Sequence, residues 1–291
     1  MSTDFPFKPI VIGAPSAEVV SADVARALAE DLGPGDLSAQ LVSADARGEA
    51  ELWTREDLVL AGQAWFDACV RALDADANIV WDCAEASHVS AGSRLCSISA
   101  NARALLSAER SAMNFLQTLS GTATVTAQYV AWTAGTRTRI LDTRKTLPGL
   151  RYAQKYAVRA GGGVNHRMGL YDAVLIKENH ILAAGGIATA IERARALAPD
   201  CMVEIEVESL DEYRQASAAR PDRIMLDELS PAELRQALDE RTPGIELELS
   251  GGIEQQRLGE LCALGVDYIS IGALTKHVRA IDLSMRWKAA R

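Results

Sequence analysis

From about residue 123 onward the chain repeats one unit, a short apolar run, a loop and a helical pattern. The apolar runs fall at 140–143, 173–176, 203–207, 224–226, 246–249 and 268–271, with helical periodicity at 188–197, 210–219 and 232–238. Ser230 followed by Pro231 is the pairing of N-cap and first-turn proline that opens helices. Strand and helix alternating every roughly 20 to 30 residues predict a parallel sheet with crossover helices. A doubly wound sheet gathers its functional residues at one switch point, whereas a barrel gathers them from every strand end. Here every strand end carries something: Lys145, Lys177, Glu206, Asp227, the trio Ser250, Gly251 and Gly252, and the pair Gly272 and Ala273. The pattern therefore predicts an α/β barrel. A further short strand at 163–167 would give seven strands where a closed barrel has eight, so the barrel is expected to be incomplete.

Within this repeat, apolar segments run straight into cations at Arg144 and Lys145, at His166 and Arg167, and at Lys177. One such residue at a strand end is ordinarily just solvated. Several in one neighbourhood of a chain with net charge −9 and a pI near 5.1 point to an anion-binding site. The acidic balance gives nucleic acid or an anionic membrane no general attraction, and neither is expected as a partner. Glycines at 251, 252 and 272 allow backbone N–H groups to approach an oxyanion, and two such loops on neighbouring barrel strands suit a phosphate. Either loop alone reads equally well as a tight turn. Glu206 and Asp227 end consecutive strands, where carboxylates can hold Mg²⁺ or accept from ribose hydroxyls. The bland alternative pairs them with Lys145 or Lys177. Glu204 and Glu208 share the face of Glu206 by alternation, which leaves open which of the three matters. Lys177, with Lys145, Arg144 and Arg167 nearby, also fits the Schiff-base lysine of a sugar-phosphate aldolase.

The first part of the chain reads differently. Pro6, Pro9 and Pro15 suggest a surface wrap, followed by a helix capped by Ser21 with Val24, Ala25, Leu28 and Leu32 at helical spacing. It ends at the turn cluster from Gly33 to Asp36, where Glu30, Asp31 and Asp36 read as a solvated helix end rather than metal ligands. Apolar or alternating runs at 50–53, 58–60, 79–81 and 95–98, with a helical pattern at 65–73, predict an α+β module with a largely antiparallel sheet. A helix over 103–119, stopped by Gly121, carries Arg103, Ser107, Arg110 and Asn114 on its polar face. The 5 cysteines are scattered without a C-x-x-C pair, so they are expected to be reduced and mostly buried, with no zinc site. The start shows no signal peptide pattern, and no stretch approaches the ~20 apolar residues of a membrane span. A soluble cytoplasmic protein is expected.

Several motifs share one origin. ILDTRKT-x-PG-L-R from Ile140, GGG-x-NHR-x-GL-x-D from Gly161, IK-x-NH from Ile176, VE-x-EV from Val203, MLD ending at Asp227, SGGI from Ser250 and ISIGALT from Ile269 resemble the quinolinate phosphoribosyltransferases. Upstream, EDLGPGDLS from Glu30 and ARALLSAERSAMNFLQTLSGTAT from Ala102 resemble the same family, so nearly the whole chain is covered. Ala100 and Asn101 stand where the family pattern has a glycine, which reads as a local turn change. The resemblance implies an N-terminal α/β sandwich over 1–122, rejoined by the C-terminal segment 278–291 as a returning helix. It also implies an incomplete seven-stranded barrel over 123–277. The implied reaction moves phosphoribosyl from phosphoribosyl pyrophosphate to quinolinate with loss of CO₂, giving nicotinate mononucleotide for NAD synthesis.

Quinolinate carries two adjacent carboxylates. On the resemblance, Arg144, Arg167 and Arg110 from a partner subunit grip them, with Thr143 in the same motif and His166 helping to orient the ring. Lys145 and Lys177 neutralise carboxylate or pyrophosphate charge. Glu206 and Asp227 hold ribose hydroxyls and Mg²⁺, and Ser250, Gly251, Gly252, Gly272 and Ala273 take the 5-phosphate. The family is dimeric, some members assembling further into hexamers. Two rivals stand beside the aldolase: a nicotinate phosphoribosyltransferase, which forms the same product without decarboxylation, and a paralogue that only binds an anion.

Overall fold

A computed structural model describes residues 13–253 and 257–288; of the expected N-terminal wrap, 1–12 lie outside the described residues. The first elements are α1 (Ala17–Leu32), β1 (Arg47–Thr54), β2 (Leu58–Val59), α2 (Gln63–Leu73), β3 (Asn78–Trp81), β4 (His88–Val89), β5 (Arg94–Asn101) and α3 (Ala102–Ala131). Then follow β6 (Arg139–Leu141), α4 (Arg151–Ala160), β7 (Ala173–Ile176), α5 (Glu178–Ala184), α6 (Ile187–Leu197), β8 (Met202–Val207) and α7 (Leu210–Ala219). The last are β9 (Arg223–Asp227), α8 (Pro231–Asp239), β10 (Glu246–Ser250), α9 (Leu258–Ala263), β11 (Tyr268–Ser270), α10 (Ala273–Lys276) and β12 (Leu283–Trp287). The chain divides into two compact units. One runs up to Ala127 and takes in Thr146–Gly162 and everything from Leu274 on; the other holds Gln128–Lys145 and Gly163–Ala273.

The first unit is built on an antiparallel sheet in the order β12-β1-β5-β3. Its strands alternate exposed and buried residues, and the buried side meets Trp65 and Phe66 of α2 together with Leu105 and Leu116 of α3. Trp65 donates its indole N–H to the buried Asp23 at 3.0 Å, which satisfies both polar groups inside the core. The N-cap of α1 is Ser16, whose hydroxyl accepts from the Val19 N–H, so the helix begins a turn before the expected Ser21. Asn101 caps α3 by accepting from the Ala104 N–H at 3.1 Å, which accounts for asparagine where a glycine was expected.

Three expectations are corrected here. The helix expected to stop at Gly121 runs on to Ala131. Gly121 is there for space: a Cβ would lie 2.1 Å from the carbonyl oxygen of Arg279, and one at Gly161 would lie 2.3 Å from that of Ala123. The C-terminal segment returns as a strand rather than a helix, β12 pairing antiparallel with β1. Leu283, Met285 and Trp287 recur every second residue, which is a strand period. Residues 146–162, read as part of the barrel, instead send Ala153, Tyr156, Ala157 and Ala160 of α4 into the first unit's core.

The second unit is a parallel sheet of six strands in the order β6-β11-β10-β9-β8-β7. The expected strand at 163–167 shrinks to one parallel bridge, Leu141 to Val164. The reason is local. The His166 N–H donates to the Asp142 carboxylate at 2.8 Å and the Arg167 N–H to His166 Nδ1 at 2.7 Å, so neither is left for a ladder. The sheet is rolled. His166 lies past its β6 edge, yet its Nε2 is 3.0 Å from Glu204 on β8 and 3.7 Å from Glu248 on β10. Among the described residues no ladder joins β7 to Val164, which leaves the barrel incomplete.

Gly121 yields a test of sign. Helix propensity alone would stabilise Gly121→Ala by about 1 kcal/mol. The backbone clash reverses this to a loss of about 1–3 kcal/mol, read as a lowered Tm in thermal denaturation.

Candidate active site

The ends of β6 to β11 place the expected residues around one mouth. After β6, Thr143 Oγ1 accepts from the Lys145 N–H at 3.0 Å, which folds this short segment back on itself. The buried Asp142 accepts from the His166 N–H and, at 2.6 Å, from the Asn165 side chain. That carboxylate ties the segment bearing Arg144 to the one bearing Arg167. The Arg167 guanidinium is brought below its usual range, first by burial and next by the positive charge of Arg144. The charges of Glu204 and Asp172 act in the opposite direction on Arg167. Asp172 fixes the following turn by accepting from the N–H groups of Met168 and Gly169 at 2.6 and 2.9 Å.

Lys177 precedes α5 and donates its backbone N–H to His180 Nδ1 at 3.0 Å, while its ammonium pairs with Glu206. Its side chain therefore faces a carboxylate rather than the apolar pocket that Schiff-base chemistry requires. Burial raises the carboxyl of Asp227 above its usual range, and the charges of Glu206 and Glu228 raise it further, while Lys177 and Lys145 oppose them. Ser250 stands directly beside Asp227 in the register of β9 and β10. Gly251 has φ +88°, and a Cβ there would meet Asp227 Oδ1 at 2.9 Å, so only glycine suits this loop. At Gly272 a Cβ would lie 3.0 Å from Lys145 Cδ, which brings the loop that continues into Ala273 against Lys145. A cavity of about 350 Å³ opens beside Ser250, Gly251 and Gly252, with Arg235 and Arg257 on its wall. Sequence reading had not singled out these two arginines.

Glu206, Glu208 and Asp227 each offer a carboxylate oxygen, all within 4.8 Å of one another. Three hard oxygen donors at this spacing are of the kind that could hold Mg²⁺. Glu204, left open with Glu206 and Glu208 in the sequence, does not join them. It lies beneath the mouth, fully buried with His166 and Glu248. Burial raises Glu204, and burial together with the Glu204 charge pushes Glu248 up to about 8. Glu248, Asp142, Asn165 and His180 were all missed from sequence. Period-two alternation in β10 places Glu246, Glu248 and Ser250 on one face, and that signal could have found Glu248.

Arg110 belongs to the other unit, on α3, where it lines a cavity of about 390 Å³ with Asp31, Asn114 and Pro148. Its neighbours on the expected solvated stripe are in use: Arg103 donates to the Val42 carbonyl and Ser107 to Asp36.

Comparison with known proteins now adds to this geometry. Residues 36–120 match the family model for the quinolinate phosphoribosyl transferase N-terminal domain, and residues 122–286 match that for its C-terminal domain. The chain belongs to the quinolinate phosphoribosyltransferase family. A probable nicotinate-nucleotide pyrophosphorylase (carboxylating) of Bacillus subtilis is 40% identical over 257 residues, 88% of this chain and 89% of that protein. The nicotinate-nucleotide pyrophosphorylase (carboxylating) of Mycobacterium leprae is 40% identical over 272 residues, 90% of this chain and 95% of its own. Among solved structures, the nicotinate-nucleotide pyrophosphorylase from Francisella tularensis has a TM-score of 0.91 and 45% identity, covering 94% of this chain and 98% of that one. None of the helices described is long and apolar enough to cross a membrane.

The charges around Asp227 make a prediction with a worked sign. In metal-free protein, Lys177→Met removes an opposing cation and raises the Asp227 pKa further, whereas Glu206→Gln removes a like charge and lowers it. Carbon-13 NMR titration of the labelled carboxyl reads both shifts.

Proposed function

We propose that this chain transfers phosphoribosyl from phosphoribosyl pyrophosphate to quinolinate with decarboxylation, releasing nicotinate mononucleotide, pyrophosphate and CO₂ for NAD synthesis. The observation that supports this reading is that Arg144 lies near enough to the partly buried Arg167 for its positive charge to help bring that guanidinium below its usual range. Two planar guanidinium forks side by side suit two carboxylates on neighbouring ring atoms, because each fork can donate two parallel hydrogen bonds. A monocarboxylate such as nicotinate would engage fewer of their donors.

Lys145 and Lys177 supply positive charge for the substrate anions. The N–H groups of the 250–252 and 272–273 loops receive the 5-phosphate, and Asp227 and Glu206 accept from ribose hydroxyls. Glu206, Glu208 and Asp227 are the residues that would hold Mg²⁺, which neutralises pyrophosphate charge when bound. The pyridine nitrogen donates its lone pair to the anomeric carbon as the bond from that carbon to pyrophosphate oxygen breaks. Carboxylates at the mouth stabilise the positive charge that ribose develops, so no strong general base is needed. Ribosylation leaves the ring cationic. It then accepts the electron pair released as CO₂ departs from the carbon next to nitrogen, and that carbon takes up one proton. The contribution of the chain is mostly position and field.

This reading includes a cytoplasmic homodimer in which Arg110 of a second copy completes each site. Its support is that Arg110 stands at the wall of a cavity on α3, in the unit that lacks the cation cluster.

The deciding assay incubates protein, Mg²⁺ and phosphoribosyl pyrophosphate with quinolinate or with nicotinate, following CO₂ and mononucleotide. Equal CO₂ and nicotinate mononucleotide from quinolinate alone is expected; product from nicotinate without CO₂ would move the chain to the non-decarboxylating reaction. Arg144→Ala and Arg167→Ala each remove a charged hydrogen-bonding partner of about 1.5–3 kcal/mol, so kcat/KM for quinolinate should fall roughly 10- to 150-fold. For the shared site, Arg110→Ala and Arg167→Ala chains are mixed after each is shown inactive. Half of the dimers then carry one intact site, restoring about a quarter of the unsubstituted activity, whereas sites complete within one chain would restore none.

A further inference from the structure

Arg144 and Arg167 both stand on irregular backbone, outside any strand or helix. No ladder or helical turn fixes either one, yet the charge of Arg144 acts on the Arg167 guanidinium. What joins their segments is a short series of hydrogen bonds. The Val164 N–H donates to the Ile140 carbonyl at 2.8 Å, and the Asp142 N–H to the Val164 carbonyl at 3.1 Å. Beyond these backbone bonds a side chain takes over. Asp142 Oδ1 accepts from the His166 N–H at 2.8 Å, and Oδ2 from the Asn165 side-chain amide at 2.6 Å. Each carboxylate oxygen thus grips one of two consecutive residues in the facing segment.

The position of this clasp matters. Asp142 lies two residues before Arg144, and Asn165 lies two before Arg167. Asp142 is fully buried, where a carboxylate is costly unless its oxygens are answered. Hydrogen bonds to an ionised group are shorter and stronger than neutral ones, so the clasp holds the two segments more firmly than a neutral pair would. A carboxylate among cations also has a simpler role, as a counter-charge alone. The two roles separate experimentally, because one grip can be removed while the charge stays.

We propose that Asp142 is a positioning residue that sets the separation of Arg144 from Arg167, and so selects pyridine dicarboxylates whose two carboxylates stand on neighbouring ring atoms. It acts through the backbone that carries both arginines. A small displacement of either guanidinium misplaces its paired hydrogen bonds, which makes the separation a determinant of specificity. The selectivity rests on the quinolinate reading above; the clasp rests only on the bonds just described.

Three variants test it. Asn165→Ala keeps the Asp142 charge and removes one grip. Asp142→Asn removes the charge and sets one amide against another. The exchanged pair, Asp142→Asn with Asn165→Asp, again faces a carboxylate with an amide and leaves an oxygen at 142 for the His166 N–H. Hydrogen–deuterium exchange over peptides spanning 164–169 should quicken about 10-fold or more in both single variants and slow again in the exchanged pair. Unchanged exchange in Asn165→Ala would leave only the counter-charge and overturn the clasp. If Asp142→Asn does not fold, Asn165→Ala decides.

The kinetic measurement reads selectivity. KM for quinolinate should rise about 10-fold or more in Asp142→Asn and less in Asn165→Ala, with KM for phosphoribosyl pyrophosphate little changed. The preference for quinolinate over isomers with separated carboxylates, each tested as a competitor, should narrow by a similar factor. The exchanged pair should recover most of both. Equal rises in the two KM values, an unchanged preference, or no recovery would mark a merely structural role and overturn the proposal. If unsubstituted protein does not use quinolinate, the reading above fails and the selectivity falls with it. Exchange alone then decides the clasp, which quickened exchange supports and unchanged exchange overturns.

Discussion

A guanidinium enclosed by carboxylates inside a rolled parallel sheet governs much of the second unit. The Arg223 side chain reaches Glu246 and Glu248 and stacks over the Tyr268 ring at 4.1 Å, with Arg139 over the same ring at 4.6 Å. The interior of a parallel barrel is ordinarily filled by branched apolar side chains. Charges survive there only as a complete set, because removing one partner strands the others at about 3–5 kcal/mol. The set therefore ties β9, β10 and β11 into one register more strictly than interchangeable valines would. It also leaves a firm floor beneath a mouth that gathers both cations and carboxylates.

Gathered cations are what an anion site requires. The chain as a whole is acidic, at −9, so highly charged substrates gain nothing from its general field. Attraction must arise locally, as where the charge of Arg144 acts on Arg167 and where Lys145 and Lys177 oppose the acidic group at Asp227. The acids and bases at the mouth are also sorted by strand. Cations follow β6 and β7, carboxylates end β8 and β9, and glycine loops follow β10 and β11. A pyridine dicarboxylate, a ribose and a phosphate can be arranged along that sequence of chemistries without rotating any element.

Much of this was legible because charge or glycine recurs at every strand end of the βα repeat, although any single charged residue there would read as solvated. The repeat gave the sheet, and residues such as Lys177, Asp227 and Gly251 followed from their place at its ends. What escaped was decided by partners distant in the chain. Gly121 read as a helix stop because glycine usually is one, and the carbonyl of Arg279 that needs its space cannot be seen locally. His166 read as a cation among cations, since only the rolled sheet brings Glu204 and Glu248 to its ring. Arg110 gave no signal of its own and entered through family resemblance, because a polar residue on a helix face is ordinarily solvated.

The edge strand β12 has a consequence for how the molecule comes into being. It covers β1, hydrogen bonding from Ala50 opposite Trp287 to Thr54 opposite Leu283, and so shields an edge that would otherwise invite intermolecular pairing. Yet those residues leave the ribosome after the strands of the second unit. The first unit cannot close its sheet before β12 has emerged, and until then that edge of β1 stays open to the solvent and to other nascent chains. Assembly of the amino-terminal half is thereby coupled to completion of the carboxy-terminal half, and a truncated product exposes a ready template for aggregation.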